Sequence, residues 1–93
     1  MAYDYATEQA LLNDINRLEI VIDHCNRLIE ELQEWLNDEK IWFLHTNITL
    51  MIAIVRDGKI DQITAKEQLQ KAAAEQKAAK KEVDDRDYER AMQ

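Results

Sequence analysis

From Leu11 to Leu36, apolar residues recur at alternating spacings of four and three: Leu11, Ile15, Leu18, Ile22, Cys25, Ile29, Leu32, Leu36. That spacing is the seam of a coiled coil, with Ile15, Ile22, Ile29 and Leu36 at a, and Leu11, Leu18, Cys25 and Leu32 at d. A seam of this length has to be buried against another helix, from the same chain or from another copy. The pattern predicts a first helix over about residues 6–36. Its b, c and f positions are mostly polar, with Ile20 at f as the exception. The g positions Val21, Leu28 and Trp35 are also apolar, which widens the stripe beyond a two-stranded zipper. A face built from a, d and g suits a bundle, where one helix touches two neighbours.

The polar cluster Asn37-Asp38-Glu39-Lys40 is the first candidate break, since Asn37 or Asp38 can cap a following helix. No glycine or proline enforces a turn there, so one long bent helix is the alternative. Residues 41–55, IWFLHTNITLMIAIV, carry no charge and are bracketed by Lys40 and Arg56. A second helix over about 39–56, apolar nearly all round, is the expected form of this run. At ~1.5 Å per residue the fifteen residues span roughly 22 Å, short of the ~30 Å hydrocarbon core of a bilayer. Arg56-Asp57-Gly58-Lys59 is then the clearest turn signal. Thr64 and Glu67 form the capping-box pattern Thr-x-x-Glu, which predicts a third helix over about 65–91. That segment is rich in alanine, so it forms helix readily and buries little area.

Composition supports the same class. The 93 residues hold one glycine and no proline, too few turn formers for a β-rich fold. The expected architecture is all-α: a single domain over 1–93, a three-helix antiparallel bundle or helical hairpin with a long coiled-coil-like first helix. Because the second helix is shorter than its neighbours, the others overhang, and assembly as a dimer or higher oligomer is expected through the seam residues and residues 41–55.

Charge adds an asymmetry. Residues 1–39 carry ten acids against Arg17 and Arg27, a balance of −8, whereas residues 40–93 carry nine acids against ten bases, +1, for the total of −7. Phosphate affinity depends on clustered Lys and Arg, so direct nucleic-acid binding is not expected. A solvated helix face or a docking surface for a basic protein partner is. The opening residues lack the positive and apolar parts of a signal peptide, which leaves a cytoplasmic location as the default expectation.

Catalytic chemistry is not indicated. The chain contains no serine, and its single cysteine, Cys25, falls on a seam position between Asp23 and Glu30, away from the electropositive setting a nucleophilic thiol needs. One cysteine also excludes an internal disulfide. His24 and His45 show no metal-ligand spacing, and Asp57-Gly58-Lys59-Ile60-Asp61 lacks the acidic ladder of a calcium loop. Neither a cofactor nor a metal is expected, and the chain does not read as an enzyme. Trp35, Trp42 and Phe43 cluster around the first corner, where they can cap the bundle end; Glu34, Asp38 and Glu39 form an acidic rim there, and Glu30 and Glu31 precede it as further candidate partner-binding residues. This is the composition of a partner-binding hot spot with its rim.

Three function classes fit these features. The first is a small helical adaptor or assembly factor that acts through its apolar seam and the Trp corner. The second is an acidic inhibitor, of the kind a bacteriophage directs at a host nuclease or defence complex, acting through a carboxylate-rich helix face. The third is a small holin-like membrane-active protein using residues 41–55.

Overall fold

A computed structural model describes residues 2–92, with side chains for 2–91; Met1 and Gln93, the ends of the expected 1–93 domain, lie outside the described residues. Two long antiparallel helices account for nearly all of it, α1 over Tyr5–Leu36 and α2 over His45–Met92, joined by a 3₁₀ segment over Glu39–Leu44. No strand occurs among the described residues. The hairpin is a rod of 77 × 16 × 15 Å.

Helix α1 starts where the first turn finds a cap. Asp4 is extended, and its carboxylate accepts from the Ala6 N–H at 3.1 Å and from the Thr7 hydroxyl at 2.7 Å. Those two donors, the hydroxyl first, hold the Asp4 carboxyl below its ordinary range. The helix ends at the polar cluster anticipated from sequence. Asn37 and Asp38 turn their N–H groups back to the carbonyls of Glu34 and Trp35, both at 3.1 Å. Asp38 then becomes extended, and its carboxylate takes the Lys40 N–H at 2.9 Å. Side-chain capping thus reverses the chain without glycine or proline.

The expected three-helix arrangement is corrected here. Residues 39–44 form the 3₁₀ segment, kinked at Ile41 (φ −112°, ψ 19°), and not the first turns of a second helix. The expected turn at Arg56-Asp57-Gly58-Lys59 is absent, because α2 runs unbroken for 48 residues. Gly58 keeps a negative φ, and one helical glycine costs only about 1 kcal/mol relative to alanine. Thr64 is no N-cap, since its hydroxyl donates to the Ile60 carbonyl one turn earlier at 3.1 Å. A capping box satisfies N–H groups that have no helical partner, and here the preceding turn already satisfies them.

The eight seam residues of α1 pack inside the hairpin. Ile15, Ile29 and Leu32 are buried; Leu11, Leu18, Ile22, Cys25 and Leu36 are half-buried. Their counterpart on α2 is a second alternation of three and four: Ile48, Ile52, Val55, Lys59, Gln62, Lys66, Leu69, Ala73 and Gln76, each buried or half-buried. The densest packing lies near the loop, where Ile29, Leu32, Ile48 and Ile52 form the core with Leu36, Ile41, Leu44 and Val55 against it. Farther along, polar side chains occupy the α2 seam, laying their alkyl stems over apolar surface. At the far end Asp4 N–H donates to the Oε1 of buried Gln76 at 2.9 Å, and Lys80 sits 5.8 Å from the Tyr3 ring centroid. Beyond this level α2 continues alone, with residues 80–91 all exposed.

Candidate interaction surface

The two edges of the hairpin differ in chemistry. Along one edge, polar side chains bridge the helices. Lys59 donates to Asn26 Oδ1 at 2.9 Å, and Lys66 pairs with Glu19 at 3.6 Å. Asn26 and Glu19 are seven residues apart, as are Lys59 and Lys66, so the two bridges repeat on one side. Along the other edge stand the g residues of α1: Val21 and Leu28 at 41% exposed, and Trp35 at 50%. Met51 of α2 lines a groove with Trp35, Ile54 stands one turn on at 70% exposure, and Gly58, Ala65 and Ala72 follow Met51 at steps of seven. An open groove of about 570 Å³ marks the loop end of this edge, lined by Trp35, Asp38, Ile41, Leu44, Asn47, Ile48 and Met51. One edge is closed by polar groups and the other is apolar and uncovered.

The loop tip carries a second exposed cluster. Trp42 is 62% exposed and Phe43 80%. The Trp42 ring leans on His45, with ring centroids 4.4 Å apart and planes at 42°, so the half-buried His45 supports the tip from the first turn of α2. Glu30, Glu31, Glu34, Asp38 and Glu39 are all exposed around this end, and among the described residues Glu30, Glu31 and Glu34 form no ion pair. The structure therefore brings the anticipated partner-binding residues to one end of the rod. It divides them, with Trp35 on the uncovered flank, Trp42 at the tip and Asp38 acting as a cap.

Met51 and Ile54 were not singled out from sequence, and Gly58 was read there only as part of a turn. Within an uncharged run that is apolar nearly all round, no period distinguishes a core face from a solvent face. Among the described residues, no group of three or more His, Cys, Asp and Glu side chains is placed to hold a metal ion. None of the described helices is long and apolar enough to cross a membrane. Comparison with known families, with curated proteins and with solved structures finds no match to this chain.

Proposed function

We propose that this chain is a non-enzymatic helical interaction protein, an adaptor or assembly factor that docks a protein partner at its loop tip and associates with itself. The observation that carries this reading is the amount of large apolar side chain left exposed, most of all Trp42 and Phe43 at the loop tip. Among the described residues fourteen large hydrophobics are exposed, whereas six hydrophobics are buried, one of them an alanine. Isolated exposed apolar residues are ordinary; contiguous ones mark an interaction site. At the tip, Trp42 and Phe43 stand on a short 3₁₀ segment braced by His45, so little freedom is lost when a partner packs on them. The rim of Asp38, Glu39 and Glu34 selects a partner segment with basic residues beside an apolar one.

A second reading has its own support in the unpaired carboxylates of Glu30, Glu31 and Glu34, which suit an acidic inhibitor of a basic protein. Quantitative capture from source-cell extract on the immobilised chain separates the two. The adaptor reading predicts that partners held by the wild type are lost when Trp42→Ala and Phe43→Ala are combined, and are retained by the triple variant Glu30→Lys, Glu31→Lys, Glu34→Lys. Loss confined to the charge-reversed variant would favour the inhibitor reading. Capture unchanged by either set would remove both.

A further inference from the structure

The open groove at the loop end holds a fixed negative charge next to an aromatic residue, and none of its lining residues is basic. We propose that it is an arginine site: it takes an arginine side chain from a segment of the partner protein, with an apolar neighbour of that arginine packed along the groove. This deepens the interaction-protein reading and rests on it.

Packing sets the groove. Buried Ile48 and half-buried Ile41 and Leu44 line it, with Trp35 contributed by α1 and Met51 by α2. Its volume of about 570 Å³ falls within the ~300–1,000 Å³ of ligand sites, but those sites enclose most of a small ligand and this groove is open. An open groove covers one side of its occupant. It suits a side chain that belongs to a larger body with contacts elsewhere, here at Trp42 and Phe43.

Charge selects the kind of side chain. Asp38 is the one charged residue that lines the groove. Its Oδ1 accepts the Lys40 N–H at 2.9 Å, and its own N–H donates to the Trp35 carbonyl at 3.1 Å. The cap that ends α1 thus also holds a carboxylate in place beside the tryptophan. Among the described residues no ion pair engages Asp38, or Glu31 one turn before Trp35. Residues 30–40 hold Glu30, Glu31, Glu34, Asp38 and Glu39 against Lys40, a balance of −4. A cation entering here meets a complementary field and displaces no existing ion pair.

Arginine fits this pair of residues better than lysine does. A guanidinium is planar, so it stacks on an indole while its edge donates to a carboxylate, and it is more weakly hydrated than an ammonium. Trp35, at 50% exposure, supplies the ring, and Asp38 supplies the acceptor. Lysine is a compact, strongly hydrated charge that uses the carboxylate and gains less from the ring.

The test titrates the full chain with acetyl-Leu-Arg-Leu-amide and with its Lys and Glu counterparts, following the Trp35 indole N–H and the Met51 methyl by NMR. The variants are Asp38→Asn, which keeps the turn because asparagine caps as well as aspartate, and Trp35→Leu, read at Met51. The proposal predicts saturable shifts of both signals with the Arg peptide, weaker binding of the Lys peptide and none of the Glu peptide. Asp38→Asn is expected to weaken the Arg peptide about fivefold, the upper end for an exposed ion pair. Trp35→Leu is expected to abolish the preference for Arg over Lys. Equal binding of the Arg and Glu peptides, an Arg affinity unchanged by Asp38→Asn, or no saturation up to about 10 mM would overturn the site. So would acetyl-arginine-amide acting as strongly as the tripeptide, which would make it a small-molecule site. Signals that move with protein concentration before any peptide is added would mean that a second copy fills the groove, and would overturn it too. Partner capture that still depends on Trp42 and Phe43 while the groove ignores arginine would overturn the site and leave the adaptor reading standing.

Discussion

Truncating Leu32 to alanine is expected to cost about 2–5 kcal/mol of stability, the range for removing a buried leucine side chain from a core. Leu32 is the one large side chain fully enclosed among the described residues, at 0% exposure, and it sits among Ile29, Ile48 and Ile52. A chain of this length has a total stability of roughly 5–14 kcal/mol. The loss is therefore a large fraction of the whole, and it reads as a marked fall in the urea midpoint. Leu32→Met keeps the volume and is expected to cost under about 1.5 kcal/mol. Equal losses from the two substitutions would mean that the core near the loop is not packed around this residue.

Asp57→Pro is expected to destabilise by about 3 kcal/mol or more, because proline inside a helix removes a backbone hydrogen bond and clashes with the preceding turn. Asp57 is exposed, so the side chain itself contributes no packing and the effect belongs to the backbone. The same substitution in a turn at Arg56-Asp57-Gly58-Lys59 would be tolerated, since proline fits the second position of a turn. Unfolding by urea, followed by circular dichroism, separates the cases. A stability within about 0.5 kcal/mol of the wild type would place a turn there, as surface substitutions away from special features are usually that small.

The part of the fold that the sequence made legible is the part where every seam position is apolar. In α1, Ile, Leu and Cys occupy each a and d position, and the predicted span of about 6–36 agrees with Tyr5–Leu36. The reversal at Asn37 and Asp38 was legible too, because short polar side chains next to a helix end have a specific use as caps. Helix α2 was not legible as one element. Its seam passes through Lys59, Gln62 and Lys66, whose charge and polarity erase the hydrophobic period over the middle of the helix. Gly58 and the Thr64–Glu67 pair then imitate a boundary. Both are local signals, and the continuous backbone hydrogen bonding within α2, which packs against α1, overrides them; the Thr64 hydroxyl bonds the Ile60 carbonyl inside that helix.

The candidate surface divides in the same way. Val21, Leu28 and Trp35 stood out because they repeat at seven on a patterned helix, and Trp42 and Phe43 because they are aromatic beside acids. The α2 half of the flank depends on which side of α2 turns toward α1. The buried seam from Ile48 to Gln76 establishes that, and the pairing of Lys59 with Asn26 and of Lys66 with Glu19 makes the edge opposite the flank polar.

Every placement above depends on α2 being one helix, and a distance measurement tests this most directly. Nitroxide labels at Thr46 and Glu89, both exposed, can be read by double electron–electron resonance with the labelled chain diluted into unlabelled chain. Helical rise across the intervening residues predicts a separation of about 65 Å. A narrow distribution near that value is the expected result. A distance below about half of it would mean that the chain folds back near Gly58. It would contradict the hairpin and its uncovered flank.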